Sequence, residues 1–194
     1  PCDPVFSISK DPRKLIEQLG LKDGLFNLLI MGGGFGTGPV REVVDFVCGP
    51  GSTVQNKVQA IVICGKNKKL FDELAAKKDL KGRLSIFGYM DNIDEFMEVS
   101  DLIITKSGGL TVSEALSKKL PMIVIQPIPG QETRNCNILE GYGAAVRANT
   151  ARDAVKHVEG FIRNPSRIIG MKARINLLSF PDAAKDIGGF LRGL

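Results

Sequence analysis

The sequence predicts an α/β fold: a doubly wound parallel sheet of about six strands, Rossmann-like, with a helical C-terminal tail. Short apolar runs of strand length recur between longer amphipathic segments, and each run is continuous rather than alternating in polarity. Continuous runs are typical of strands that are covered on both faces, as parallel strands are. The alternation of strand and helix along the chain favours a parallel sheet over an antiparallel one.

The predicted elements follow one another in a regular order. From Thr150 onward the pattern is helical only, and Pro165 and Pro181 are predicted in the first turns of the later helices, where proline is tolerated. A glycine-rich segment after the first apolar run leads into a helical pattern from about Val40 to Val47. The apolar runs lie at residues 25–31, 58–64, 83–87, 102–104, 122–125 and, more weakly, 144–146.

The length of the chain favours one domain over residues 1–194, with a core at about 4–149 and a tail at about 150–194. The sequence begins Pro1-Cys2-Asp3-Pro4, with neither an initiator methionine nor the pattern of a signal peptide. We therefore expect the chain to be a fragment of a larger protein.

Composition narrows the classes of function. Hydrophobic residues make up 43% and charged residues 24%, so a substantial core is feasible, yet no apolar run approaches the ~20 residues of a membrane-spanning helix. The four cysteines show no CxxC spacing, which argues against a zinc site and a disulfide framework. The net charge is +5, and basic clusters at 66–69, 77–78 and 118–119 are interpreted as solvated helix ends or as attraction to an anionic membrane surface. Nucleic-acid binding is disfavoured because aromatic residues are scarce and do not interleave with these clusters.

In a doubly wound sheet, ligands bind beyond the carboxyl ends of the strands, so the segments after the strands are the candidate sites. The first is 32–39, Gly-Gly-Gly-Phe-Gly-Thr-Gly-Pro, where glycines let backbone amides approach a phosphate. A dinucleotide fingerprint would need glycine at Thr37 or Pro39, and a P-loop would need lysine after Gly38. The segment is therefore a phosphate-contacting loop of another kind, or a tight turn without a ligand.

Two further segments present polar residues at helix starts. Residues 105–114, Thr-Lys-Ser-Gly-Gly-Leu-Thr-Val-Ser-Glu, form a second glycine-containing entry to a helix. Thr111 and Glu114 have the spacing of a capping box, and the alternative is that the Glu114 carboxylate accepts ribose hydroxyls. Residues 126–135 carry amide and carboxylate side chains suited to the vicinal hydroxyls of a sugar, or form an ordinary exposed helix start.

Together, three motifs resemble those of bacterial processive diacylglycerol glucosyltransferases and of monogalactosyldiacylglycerol synthases. They are 31–39 (MGGGFGTGP), 103–115 (IITKSGGLTVSEA) and 129–135 (PGQETRN), and the match runs in order over about residues 4–149. The resemblance implies a GT-B fold of two Rossmann-like domains with the active site between them. This chain resembles the C-terminal, donor-binding domain, with the N-terminal acceptor domain absent.

The resemblance also implies which residues bind the UDP-sugar. The turn with Tyr89 and Met90 would hold the uracil, and Glu114 the ribose. The segment 107–111 would bind the diphosphate, and Gln131 and Glu132 would contact the hexose, with Asn135 nearby. The predicted UDP-sugar-binding residues are Gly33, Gly34, Tyr89, Met90, Ser107, Gly108, Gly109, Leu110, Thr111, Glu114, Gln131, Glu132 and Asn135.

The reaction implied is inverting transfer of a hexose from its UDP ester to diacylglycerol, without a metal or other cofactor. Amides and helix dipoles would stabilise the leaving diphosphate. The catalytic base and most of the membrane contact would come from the missing domain, so we expect the chain alone to be inactive. His157, the single histidine, is predicted on the surface of an amphipathic helix. The full-length protein is expected to be cytoplasmic and peripheral to the membrane. The segment 107–110 and Pro129 resemble the bacterial glucosyltransferases more than the plant galactolipid synthases, which favours glucose over galactose as the donor sugar.

Three other functions stay open on the sequence. The first is a non-catalytic nucleotide-sugar-binding subunit that acts with a separate membrane partner. The second is a UDP-sugar epimerase on the same scaffold, which would need acid and base carboxylates facing the sugar. The third, a dinucleotide-dependent oxidoreductase, is disfavoured by the failed fingerprint.

Overall fold

The computed structural model describes residues 2–54, 56–77 and 83–193. Its centre is one parallel sheet in the order β3-β2-β1-β4-β5-β6, the arrangement of a doubly wound Rossmann-like fold. The predicted fold class is therefore confirmed. The strands are β1 (Phe26–Met31), β2 (Val58–Ile63), β3 (Leu84–Phe87), β4 (Leu102–Thr105), β5 (Met122–Ile125) and β6 (Ala145–Ala148).

Helices follow the strands and cover both faces of the sheet. The helix expected from about Val40 to Val47 is α2, one residue longer at its end. A short 3-10 helix at Pro4–Ser7 precedes α1. The helices are α1 (Pro12–Gln18), α2 (Val40–Cys48), α3 (Lys68–Ala75), α4 (Ile93–Glu98), α5 (Gly109–Ser117), α6 (Gln131–Gly141), α7 (Ala151–Arg163), α8 (Ser166–Ile175) and α9 (Ala183–Arg192).

Successive side chains of each central strand enter different cores, which explains why the apolar runs are continuous. Leu28 and Ile30 of β1 pack into a core formed with α2 and α7. Their neighbours Leu29 and Met31 pack into a second core on the other face, formed with α4, α5 and α6. An apolar side chain is favoured at every position of such a strand because neither face meets water.

A buried polar network lies at the amino ends of β1 and β2. The Asn27 side chain donates to the Val99 carbonyl at 2.7 Å and accepts from Gln59 Nε2 at 2.6 Å. Gln59 also bonds both backbone groups of Lys22, at 2.8 and 2.9 Å. Asp101 accepts from the Asn27 backbone N–H at 2.8 Å, and its pKa is raised by burial. Because a register slip would leave these buried groups unpaired, the network fixes the alignment of the two strands.

Charged side chains attach the N-terminal segment to α4 and α5. The Lys118 side chain is 3% exposed, and its ammonium contacts Glu98 and the Ile8 carbonyl oxygen, each at 2.6 Å. Lys10 lies 2.6 Å from Asp94 and 2.8 Å from Glu95, and these contacts raise the pKa of Lys10. The segment before α1 is thus held to α4 and α5 by ion pairs as well as by apolar packing.

Removing the Lys118 ammonium is expected to destabilise the protein by about 3 kcal/mol, because it leaves Glu98 partly buried without its cation. Urea denaturation of Lys118→Ala measures this loss. Lys69→Ala is the matched control, since Lys69 is 88% exposed and its ion pair with Glu73 is long, at 4.0 Å. A loss below about 0.5 kcal/mol in both variants, the magnitude of a surface pair, would contradict the assignment.

The helices after Thr150 differ in their burial. Helix α7 packs directly on the sheet, and Met171 of α8 joins the same core, so the expected boundary at about residue 150 is not an edge of the core. In contrast, α9 has no buried residue. Pro165 is the N-cap of α8, and Pro181 precedes the N-cap of α9, so both lie just before the first turns rather than within them.

Among the described residues, no helix combines the length and the apolarity needed to cross a membrane. Of the basic clusters, Lys68 and Lys69 begin α3 and face solvent in weak pairs with Asp72 and Glu73. Lys78, the second lysine of the cluster at 77–78, lies outside the described residues.

Candidate functional site

The strand order reverses at β1, which lies between β2 and β4. In the parallel pair of β1 and β4, Ile30 is paired with Ile104, so both strands end at the same edge. The segments after them, 32–39 and 106–108, therefore begin side by side. This is the topological switch point, where doubly wound folds bind their ligands.

The first glycine segment folds closely onto the end of β2. A Cβ on Gly36, whose φ is +57°, would overlap the Cys64 carbonyl oxygen, and one on Gly32 would overlap the Thr37 carbonyl oxygen. Lys66 N–H donates to the Gly34 carbonyl at 2.9 Å. In contrast, a Cβ on Gly33 or Gly34 would meet nothing within 4 Å. Glycine is thus required by packing at positions 32 and 36, while Gly33 and Gly34 face open space.

Helix α5 begins at Gly109, and its N-cap is Gly108. Thr111 is therefore inside the first turn rather than at the cap, and the capping-box explanation of Glu114 is wrong. Spacing alone misplaced the start because Gly108 is extended and carries no capping side chain. The N–H groups of residues 109–111 have no acceptor within the helix, so they are available to an anion at its N-terminus.

Side chains link the second glycine-containing segment, residues 105–114, to the third segment, residues 126–135. Ser107 is fully buried, and its hydroxyl donates to the Glu132 carbonyl at 2.7 Å. Asn135 Nδ2 donates to the Ser107 carbonyl at 2.8 Å. The Glu132 carboxylate accepts from Ile128 N–H at 2.9 Å, and Gly130 enters α6 with a φ of +106°. The polar groups of Ser107, Glu132 and Asn135 thus hold the two segments together, a role that the sequence did not indicate.

The three segments enclose one cavity of about 300 Å³ at the switch point. Of the predicted site residues, five line it, namely Gly33, Gly34, Gly108, Thr111 and Glu132. Gly109 and Leu110 are in the same turn of α5, and the Gln131 amide lies 3.6 Å from where a Cβ on Gly109 would be. The structure therefore brings the two glycine segments to a common point; ligand binding there stays a prediction.

Two residues in the cavity wall, Thr105 and Lys106, were absent from the predicted site. Thr105 is 1% exposed, and within the described residues its hydroxyl has no hydrogen-bond partner. The Lys106 side chain lies along Gly38, with its Cε 3.1 Å from where a Cβ would be, and makes no ion pair in the described part of the chain. Their position directly after the fourth apolar run was the signal that could have identified them.

Glu114 is half-buried on α5, and burial raises its pKa. Across residues 2–54, 56–77 and 83–193, its carboxylate makes no ion pair and no side-chain hydrogen bond. Desolvating an unpaired carboxylate costs free energy, so a residue kept in this state calls for an explanation outside local stability.

Tyr89 and Met90 lie in the turn after β3, at the side of the first glycine segment. The Lys66 ammonium lies 5.6 Å from the Tyr89 ring centre and 6.0 Å from that of Phe35, which lines the cavity. Both rings are largely exposed, at 58% and 74%. Met90 packs against the second core. The Phe35–Lys66–Tyr89 contact thus connects the turn to the cavity, although Tyr89 and Met90 do not line it.

His157 of α7 lies apart from the cavity and bonds the Arg147 carbonyl oxygen at 3.1 Å. Among the described residues, no group of three or more potential metal-ligating side chains is present. That the reaction needs no metal or other cofactor stays a prediction.

The chain is similar to a protein family, to curated proteins and to solved structures. The glycosyltransferase family 28 C-terminal domain matches residues 27–186. A processive diacylglycerol beta-glucosyltransferase of Bacillus pumilus is 32% identical over 188 residues, covering 96% of this chain and 48% of that protein. One of Bacillus cereus is 35% identical over 190 residues, covering 96% and 47%. The chain spans about half the length of these relatives. The crystal structure of Anabaena Alr3699/HepE in complex with UDP and glucose superposes with a TM-score of 0.72 at 14% identity, over 98% of this chain and 55% of that one.

Proposed function

The chain belongs to the family of glycosyltransferase family 28 C-terminal domains, and we propose that it binds the UDP-hexose donor of a hexosyltransferase that acts on diacylglycerol. The cavity at the switch point is the observation that carries this proposal. It combines a glycine segment, a helix N-terminus and, as far as the described residues go, a lysine without an ion pair and a buried hydroxyl without a hydrogen-bond partner. Each of these features is suited to an anionic, hydrogen-bonding ligand such as a diphosphate.

The donor would lie across the cavity with its diphosphate at the start of α5. Lys106 and the amides of residues 109–111 stabilise the charge that develops on the leaving diphosphate, and Thr105 donates its hydroxyl. Glu114 accepts the ribose hydroxyls, and the turn at Tyr89 and Met90 holds the uracil. Gln131, Glu132 and Asn135 lie on the hexose side. The names of the relatives, which are glucosyltransferases, support glucose as the hexose.

The acceptor side of the reaction is proposed to lie outside this chain. Among the described residues, the only carboxylate in the cavity wall is that of Glu132, which already accepts the Ile128 N–H. It is therefore poorly suited to act as the base that deprotonates the acceptor hydroxyl. We propose that the base, the acceptor groove and most contact with a cytoplasmic membrane surface come from the part of the relatives that this chain does not match. The chain alone would bind the donor without transferring the hexose.

Titration calorimetry of the isolated chain tests the proposal. We expect UDP to bind at least tenfold more tightly than ADP or NAD, because the proposed turn and ribose contacts suit uridine and the cavity lacks the dinucleotide fingerprint. Equal binding of the three nucleotides, or none, would refute donor binding.

The variant Lys106→Gln locates the diphosphate in the same experiment. Its affinity for UDP should fall about tenfold while its weak affinity for uridine stays unchanged, as expected for loss of one charge-assisted contact. Lys69→Gln, a change on the exposed side of α3, is the control and should bind UDP as the parent chain does.

A further inference from the structure

A second cavity, of about 440 Å³, lies at the opposite end of the sheet from the proposed donor site. Ala145 and Val146, at the start of β6, line it together with residues at the ends of α6 and α7 and along α8. The donor cavity, in contrast, adjoins the carboxyl ends of β1 and β4. The volume is within the range of small-molecule sites.

Two arginines of α8 line this cavity. Arg167 and Arg174 are seven residues apart, two turns of helix, so they lie on one face. Neither makes an ion pair or a side-chain hydrogen bond within the described residues. The carboxylate in the wall, Glu140, is already paired with Arg147 at 2.9 Å. Within the part of the chain that the structure describes, the cavity therefore carries two positive charges without an ion-pair partner.

Each guanidinium is seated against a glycine. Arg174 occupies the space where a side chain on Gly143 would project, and Gly143 has a φ of +68°. A Cβ on Gly160 would lie 2.8 Å from an Arg167 nitrogen, and the same guanidinium lies 4.7 Å from the centre of the buried Phe161 ring. These contacts restrain both arginine side chains beside the cavity. The conformational-entropy cost of ordering them when a ligand binds is therefore lower.

The rest of the wall is apolar and leaves room for an organic group. The half-buried Val146 contributes accessible carbon surface, whereas Phe161 and Met171 are almost fully buried in the wall. Gly170 lies between the two arginines on the same face of α8, and a Cβ there would meet nothing within 4 Å. The cavity thus combines arginine forks, which match phosphate geometry, with apolar walls.

From this combination we propose that the cavity binds a phosphate ester, with the phosphate held by Arg167 and Arg174 and the organic part against Val146 and the open position at Gly170. The inference does not depend on the proposed donor site. The same chemistry is presented by a soluble glycerol phosphate and by the headgroup of an anionic phospholipid, and these two sources are distinguished experimentally.

The test uses the chain with two probes: glycerol 3-phosphate, followed by calorimetry, and vesicles of phosphatidylglycerol in phosphatidylcholine, followed by co-sedimentation. The variant Gly170→Leu fills the cavity without changing the charge and places a better helix former in α8. It should keep the melting temperature of the parent chain and weaken binding at least tenfold. Gly189→Leu, at an open position of α9, is the matched control and should leave binding unchanged.

Arg167→Gln with Arg174→Gln should weaken binding to the same probe at least tenfold, and Arg192→Gln should not. Binding of glycerol 3-phosphate would identify a soluble ester, and binding of vesicles alone would identify a lipid headgroup. The proposal is overturned if neither probe binds, or if Gly170→Leu binds them as the parent chain does. The latter result would assign the phosphate to another site, such as the donor cavity, or to general surface charge.

Discussion

Gly36→Ala is expected to destabilise the chain by about 2–4 kcal/mol and to abolish UDP binding. The new Cβ would overlap the Cys64 carbonyl oxygen, and the φ of +57° is unfavourable for alanine. Because the obstructing atom belongs to the backbone at the end of β2, the whole glycine segment must move away from that strand. A chain of this size should then melt roughly 5–15 °C lower, which scanning calorimetry measures.

The matched control is Gly34→Ala, in the same segment. Gly34 has no positive φ, and a Cβ there would meet no atom within 4 Å. The melting temperature of this variant should stay within about 2 °C of the parent value. Its affinity for UDP should fall, because the new methyl group lies in the cavity wall. If Gly36→Ala melted as Gly34→Ala does, the contact between the glycine segment and β2 would be wrong.

The second large effect is expected for Glu114→Gln, which should weaken UDP binding about 10- to 100-fold. This is the magnitude of losing hydrogen bonds to a charged acceptor. With the 2′,3′-dideoxy analogue of UDP, the parent chain and Glu114→Gln should bind alike, since the hydroxyls in question are missing. Glu17→Gln, at an exposed position of α1, controls for net charge. A difference that persists with the dideoxy analogue would place Glu114 away from the ribose.

Stability should change in the opposite direction from affinity. Burial raises the pKa of Glu114 above its ordinary value of 4.5, so the folded state binds the proton more tightly than the unfolded state. The ionised carboxylate therefore begins to destabilise the fold as the pH rises through 4.5. Glu114→Gln removes this cost and should melt higher than the parent chain at pH 7, with no difference well below pH 4.5. A lower melting temperature at pH 7 would instead indicate a structural role.

The fold was predictable because its signal is local. Each central strand is covered on both faces, so its apolar run is continuous and visible in the sequence, as in Leu28 to Met31. The three loops of the candidate site were predictable for a related reason, since the carboxyl ends of parallel strands share one edge.

What the sequence did not indicate depends on contacts between distant segments. One such contact is the bond from the buried Ser107 hydroxyl to the Glu132 carbonyl, which joins two loops that are 25 residues apart in the chain. The arginine-lined cavity likewise combines α8 with a turn and a helix end that are separate in the chain. In contrast, Thr105 and Lys106 were recognisable from the sequence, because they directly follow the fourth apolar run.

The polar network of Asn27, Gln59 and Asp101 at the amino ends of the strands has a consequence for how such a protein can diverge. The groups that secure strand alignment and the loops proposed to contact the donor occupy opposite rims of the same sheet. Substitutions in the loops that change the sugar preference therefore leave the hydrogen bonds of the polar network intact. Evolution of a new donor preference should therefore not require compensating substitutions in the polar network.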